Sequence, residues 1–327
     1  MRVEMLRVPI PIETLGHVNS YLLIDEEGPP LLVDPGMYWP EGLTSLGRSM
    51  NAVGVRACDL RGIVVTHFHV DHATAAPLIA SLCPMPVYMG EKDLRAVKGG
   101  FESYFNGVLE LYAQYGIPGQ EIQAIRAVHP VPRLTRAYDE LAGMDLRQIG
   151  EGDVISLGAS SATVIEVPGH TPGHVALLVN GGREAIVGDS ILNDISPHVI
   201  LDDMRRDPLG EYLRTLRRVQ SLNLRVAMAG HRDHVVDPAR RSAELLAHHE
   251  RRLEEVVGLL SAGTTSLYEV ARRMKWRAGP RAWPDLSPYE RYFAFGEALA
   301  HLKRLVYLGR AEEITTGTGV VFRLARP

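Results

Sequence analysis

Over its first ninety positions the chain alternates short apolar runs with turn-forming residues. Runs at residues 21–24 and 31–33 flank a polar, proline-containing stretch and predict a hairpin with a long turn. The run at 60–66 is almost wholly apolar and β-branched, which predicts a strand buried on both faces. Residues 73–82 have a helical pattern, and residues 86–89 predict a further strand. This part of the chain therefore predicts a sheet with intervening helices.

Residues 91–148 change to helical spacing, with a break at 115–118 where glycine suits a helix end and proline a helix start. We interpret this segment as a helical insertion. It carries an aromatic and apolar stripe, formed by Phe101, Tyr104, Phe105, Leu109, Tyr112 and Tyr115. The stripe has three alternative uses: it lines a pocket beneath a lid, it packs the insertion onto the rest of the protein, or it forms a homodimer contact.

Short strands return beyond the insertion, and a mostly helical tail follows. The predicted strands are 153–157, 162–167, 175–179, 185–187 and 224–229, with a helix at 209–221 before the last. From residue 239 we predict a long helix to 260, two further helices opened by Ser-x-x-Glu boxes at Ser266 and Ser287, and a hairpin at 311–324. Three helices followed by a hairpin is the order of a winged-helix domain. The tail histidines His248, His249 and His301 are predicted to lie on the surface.

Composition sets limits on the class of protein. Hydrophobic residues make up 46% and charged residues 23% of the 327 positions, as in an ordinary globular protein. No apolar run approaches the roughly 20 residues that a membrane span needs, so we predict a cytoplasmic protein without membrane contact. The two cysteines, Cys58 and Cys83, are predicted to be reduced. The net charge of −4 divides into −9 for residues 1–238 and +5 for residues 239–327.

Metal-binding side chains are concentrated directly after the buried strand. His67, His69, Asp71 and His72 fall within six positions. Along an extended chain, alternation places His67 and His69 on one side, while Asp71 and His72 turn toward a different side. This spacing predicts two adjacent metal sites. Histidine and aspartate bind zinc, iron or manganese, and zinc is our first expectation.

Three later strands also end in a glycine beside a ligand-type residue, namely His170, Asp189 and His231. Together with His-x-His-x-Asp-His at 67–72 and the Leu-Val-Asp-Pro-Gly segment around Asp34, these motifs resemble the metallo-β-lactamase superfamily over about residues 5–240. The resemblance implies an α/β fold, a four-layered αββα sandwich. It also implies a catalytic domain at 1–238 and leaves 239–327 as a winged-helix-like domain.

The resemblance further assigns roles to the motif residues. One metal would be held by His67, His69 and His170. The other would be held by Asp71, His72 and His231. Asp189 would bridge the two ions, while Asp34 and His174 would support the ligands without touching metal. Asp71 would also be catalytic, accepting a proton from or orienting a metal-bridging hydroxide.

The implied activity is a dinuclear metal hydrolase in which that hydroxide attacks the carbonyl of a small ester, thioester or lactone, as on the glyoxalase-II and lactonase side of the superfamily. Residues 191–195 are apolar and acidic, which argues against glutathione as part of the substrate. One alternative is cleavage of single-stranded RNA, because the tail resembles that of the lactamase-B-like endoribonuclease branch. That alternative is opposed by the −9 charge of the catalytic part. A non-catalytic, metal-binding regulatory protein is the alternative of another class.

Overall fold

A computed structural model describes residues 1–12, 14–276, 283–317 and 319–326. Two sheets face each other in its first part. The first contains, in spatial order, β1 (Arg2–Pro9), β2 (His17–Asp25), β3 (Gly28–Val33), β4 (Gly62–Val65), β5 (Val87–Gly90) and β6 (Leu146–Ile149). The second has the order β11-β10-β9-β8-β7, with β7 (Val154–Ser156), β8 (Ser161–Glu166), β9 (Val175–Val179), β10 (Glu184–Gly188) and β11 (Val226–Ala229). β3 to β6 are parallel, as are β10 and β11, and the other pairs are antiparallel.

Helices cover the outer faces of this pair of sheets. They are α1 (Pro40–Ala52), α2 (Val70–Ala73), α3 (Ala76–Leu82), α4 (Glu91–Lys98), α5 (Phe101–Gln114), α6 (Gly119–Val128), α7 (Val131–Ala142) and α8 (Pro208–Ser221). Strand alternation explains the layers. Leu23 and Leu31 point into the core between the sheets, whereas Leu22 and Leu32 point out to the helix-covered core. The four-layered αββα sandwich is therefore confirmed.

The insertion predicted at 91–148 is a block of four helices, α4 to α7. The predicted interruption at 115–118 is the turn between α5 and α6. Its last residues are not helical, because β6 extends the first sheet by pairing with β5. The aromatic stripe packs inside the protein. All its members except Tyr104 are buried, and Tyr112 and Tyr115 contact the tail, where Tyr112 Oη donates to the carbonyl of Tyr292 (3.1 Å). Of the three uses that the sequence left open, the structure therefore shows packing of the stripe against the rest of the protein.

The tail has the predicted order of helices and hairpin. Its elements are α9 (Pro238–Ser261), β12 (Thr265–Ser266), α10 (Leu267–Arg273), α11 (Pro288–Tyr307), β13 (Ala311–Thr316) and β14 (Gly319–Leu324). Both serines cap their helices, and at Ser287 the capping box is complete. α9 packs along α8, and α11 packs on α6 and α8. Among the described residues, no helix has both the length and the apolar character needed to cross a membrane.

Three local predictions are wrong. The turn between β2 and β3 is short, since pairing reaches Asp25 opposite Gly28. Cys58 and Cys83 are joined by a disulfide rather than reduced, because folding brings their Cα atoms to 5.2 Å. His249 and His301 are buried where α9 meets α11, with 3.3 Å between His249 Nδ1 and His301 Nε2. The turn is short because the strands pair further than the pattern indicated. The other two differences arise from contacts between residues that are distant in sequence.

Candidate metal centre

The candidate site lies where strands of both sheets end. β4 delivers the chain through Thr66 into His67, and the backbone then turns into the short helix α2, which carries Asp71 and His72. His170 follows β8, Asp189 follows β10, and His231 follows β11, so each loop begins at the carboxyl end of a strand. Functional side chains placed on loops at one edge of a rigid sheet can converge. This arrangement explains why segments that are distant in sequence meet.

Three imidazole nitrogens form the first cluster. His67 Nε2 lies 3.1 Å from His69 Nδ1, and His170 Nε2 lies 3.0 Å from the same His69 atom. Nitrogens bound at 2.0–2.1 Å to one tetrahedral zinc ion would be separated by about 3.3 Å. The observed spacing is close to that value. The set therefore has the composition and convergence of a metal site.

The second cluster contains one carboxylate and two imidazoles. His72 Nε2 lies 3.3 Å from His231 Nε2, which lies 3.2 Å from Asp71 Oδ2. All three residues are buried. This cluster too has the donor types and spacing of a metal site.

Asp189 lies between the clusters. Its Oδ2 is 3.7 Å from His170 Nε2 and 3.5 Å from His231 Nε2, and its Oδ1 is 3.6 Å from His72 Nε2. The Oδ1 atom is buried, and within the described parts of the chain it has no hydrogen-bond partner. A buried carboxylate oxygen without a partner is costly unless a cation occupies the space in front of it. The residues present therefore fit a pair of cations with a shared carboxylate.

Hydrogen bonds behind the imidazoles orient them toward the cavity. His170 Nδ1 donates to the carbonyl of His198, and His231 Nδ1 donates to the carbonyl of His17, both at 2.7 Å. Because a carbonyl oxygen only accepts, these bonds place the proton on Nδ1 and leave the Nε2 lone pair for a metal. Neither carbonyl was predicted, since a backbone acceptor leaves no signal in the sequence.

Asp34 and His174 lie against the two clusters. Asp34 Oδ2 accepts from His72 Nδ1 (2.8 Å) and from the Thr66 hydroxyl (2.7 Å), which in turn accepts from His67 Nδ1 (3.0 Å). The His174 ring stacks on that of His67 with centroids 4.7 Å apart, and its Nε2 accepts from the Asp189 backbone N–H. One carboxylate thus orients two imidazoles, that of His72 directly and that of His67 through the Thr66 hydroxyl.

Electrostatics differ between the two clusters. Burial lowers the pKa of His67 and His69 well below the usual value, which favours neutral imidazoles with free lone pairs. Burial also acts to lower the pKa of His72, but the carboxylates of Asp34, Asp189 and Asp71 raise it to about 10. For Asp71, burial acts to raise the pKa, yet the neighbouring imidazoles of His72 and His231 lower it. Against the effect of its burial, the carboxylates of Asp189 and Asp71 also raise the pKa of His231, so the second cluster favours protonated imidazoles more than the first does.

One buried carboxylate near the site was missed in the sequence. Asp93, at the start of α4, accepts from the Phe68 N–H (3.0 Å), the Thr171 hydroxyl (2.7 Å) and the Gly173 N–H (2.6 Å). It thereby ties the loop of His67 and His69 to the loop that follows His170. Burial raises its pKa to about 7 despite these hydrogen bonds. A single Asp in a helical segment gave no sign of this role.

The chain belongs to the metallo-beta-lactamase superfamily, whose sequence profile matches residues 14–231, and it is a hydrolase of that class. Among curated proteins it is similar to the Bacillus subtilis (strain 168) protein named "Probable metallo-hydrolase YqjP", with 24% identity over 96% of this chain and 94% of that protein. It is also 28% identical to a hydroxyacylglutathione hydrolase of Fuscovulum blasticum over 59% of this chain and 53% of that enzyme. Among solved structures, a metallo-beta-lactamase family protein of Thermus thermophilus has a TM-score of 0.80 at 27% identity, covering 98% of both chains.

Proposed function

We propose that this hydrolase is dinuclear and acts on the carbonyl of a small ester, thioester or lactone. The observation that carries the proposal is the carboxylate of Asp189 between two ligand clusters, within 3.7 Å of imidazoles from each. One ion would be held by His67, His69 and His170, and the other by Asp71, His72 and His231. Zinc is the expected metal, because neutral imidazoles and carboxylates form its usual ligand set.

Two divalent cations in such a site supply the acidity that ionises a water and the positive charge that stabilises an oxyanion. The protein's own groups do the rest. Asp71 lies beside His231 and is proposed to accept a proton or to orient the attacking group. Asp34 and the carbonyl of His198 hold the imidazoles of His72 and His170 in place. Rigid ligands of this kind favour the geometry of attack over other arrangements.

A small acyl substrate is favoured over RNA by the charges of the tail. The hydroxyacylglutathione hydrolase that this chain resembles is named for a thioester substrate. Several basic residues of the tail are engaged in ion pairs within the protein, which are Arg252 with Glu255, Lys303 with Glu313, Arg304 with Asp207, Arg310 with Glu254 and Arg323 with Glu312. Paired cations offer a phosphate backbone less attraction than free ones. Four further expectations stay predictions: a domain division at residue 238, a winged-helix tail, a homodimer and a cytoplasmic location.

The test is metal content and turnover measured together. Wild-type protein reconstituted with zinc should hold two ions per chain by elemental analysis and should hydrolyse short thioesters, esters or lactones. Asp71→Ala and Asp189→Ala should lose one ion or more and reduce kcat by at least about 100-fold, whereas the exposed Glu26→Ala should change neither. A single ion per chain, or cleavage of labelled single-stranded RNA without turnover of any acyl substrate, would overturn the proposal.

A further inference from the structure

Helix α11 of the tail begins beside the metal centre. Its start is fixed by the capping box of Ser287 and Glu290. Tyr289 and Phe293 are four positions apart and so lie on the same face of the helix, with ring centroids 5.1 Å apart in an edge-to-face arrangement. Both side chains are half-buried, so each has surface left for a ligand.

His198 connects this helix face to the ligands of the first metal cluster. Its backbone carbonyl accepts from His170 Nδ1 at 2.7 Å, and its ring stacks on Phe293 with centroids 4.2 Å apart and planes 16° apart. The His198 side chain is exposed, and His69 is a half-buried member of the first cluster. The stack therefore lies at the mouth of the site.

Tyr289 extends the same surface by one turn of α11. Burial raises the pKa of its phenol, and the negative charge of Asp71 raises it further, which places this ring in the electrostatic reach of Asp71. Along the first two turns of α11, the ring of Tyr289 thus continues the surface formed by Phe293 and His198. Three rings, those of His198, Phe293 and Tyr289, form a continuous surface that we name the aromatic wall.

The charges of α11 do not favour an anionic group on this wall. All three Arg and Lys residues of the helix form ion pairs, which are Arg291 with Glu121, Lys303 with Glu313 and Arg304 with Asp207. A surface of stacked rings on a helix whose basic residues are all ion-paired binds flat apolar groups through dispersion and ring contacts. Such a surface would not recognise the carboxylates of a peptide-like thiol.

We propose that the aromatic wall binds a flat, apolar acyl group next to the scissile carbonyl, and that α11 thereby determines substrate specificity. The inference rests on the proposed function, since it concerns the acyl part of the same substrate. It gives the tail a direct part in the catalytic site. Phe293, at the centre of the stack, is the main specificity residue.

The experiment compares two thioesters of the same thiol, one with a benzoyl and one with an acetyl group. Phe293→Ala should lower kcat/KM for the benzoyl thioester about tenfold more than for the acetyl thioester, mainly through KM, as expected for the loss of a ring contact. His198→Ala should have the same direction while it keeps the carbonyl that orients His170. Tyr307→Ala, on the exposed far end of the same helix, is the matched control and should change neither. Equal losses for both thioesters would refute the wall.

A binding measurement separates failure of the wall from failure of the proposed function. Calorimetry on zinc-loaded protein should show that benzoate binds more tightly than acetate, and that Phe293→Ala removes the preference at unchanged zinc content. If this preference is present but no thioester, ester or lactone is hydrolysed, the proposed function is wrong and the wall stands. If wild-type protein binds both acids equally, the wall is refuted whatever the turnover.

Discussion

Replacement of Asp93 by alanine should reduce both stability and zinc affinity. The carboxylate accepts hydrogen bonds from Phe68, Thr171 and Gly173, and it is fully buried. Each donor left without an acceptor costs about 1–3 kcal/mol, and with partial entry of water we expect a total loss of about 3–5 kcal/mol in the free energy of unfolding. Because two of these donors lie next to histidines of the first cluster, which we propose as zinc ligands, the zinc Kd should also rise about 10- to 100-fold.

Asparagine at position 93 gives a graded comparison. Asp93 Oδ2 accepts from Phe68 and Thr171 while Oδ1 accepts from Gly173. In either orientation, the amide nitrogen of asparagine would therefore face a backbone N–H. Asp93→Asn should lower the free energy of unfolding by about 1–3 kcal/mol, which is a smaller loss than the one expected for Asp93→Ala.

Urea unfolding of the metal-free protein and competition titration of zinc measure the two effects separately. Asp194→Ala, at an exposed aspartate, is the matched control. The reasoning would be refuted if Asp93→Ala unfolded within about 0.5 kcal/mol of that control. Unchanged zinc affinity at reduced stability would show that Asp93 supports the fold but does not position the ligands.

Three further predictions concern protonation, backbone space and the disulfide. Because the pKa of His72 is raised to about 10, its protonated form stabilises the metal-free protein fully below about pH 6.5, and this contribution is lost as the pH rises through 10. The free energy of unfolding in urea should therefore be lower at pH 9.5 than at pH 6.5. Asp34→Asn should make this difference smaller. Gly188→Ala should lower Tm, since φ is +50° and a Cβ would lie 2.5 Å from the Thr66 hydroxyl oxygen, at a cost of about 2 kcal/mol; an unchanged Tm would contradict this. Cys58→Ser should cost about 3 kcal/mol, because the disulfide closes a separation of 25 residues, and only the wild type should lose stability on reduction.

The sequence by itself determined the fold class and the candidate ligands. Short apolar runs bounded by turn-forming residues predicted most strands, and the candidate ligands follow the ends of four of these runs. His67, His69 and Asp71 could be recognised because their spacing is local, and local spacing on a strand or a turn fixes direction. The capping box at Ser287 was likewise read correctly, because a helix start depends on residues within one turn.

Only the tertiary structure decided how distant segments meet. The carbonyl of His198 behind His170, the triple acceptor role of Asp93 and the stack of Phe293 on His198 all join parts of the chain that no local pattern connects. The disulfide of Cys58 escaped prediction for the same reason. Periodicity records which face of an element is apolar, but it does not record which other element covers that face. That choice is made when the sheets pack on each other and the tail helices pack on α6 and α8, because packing is a property of the whole chain.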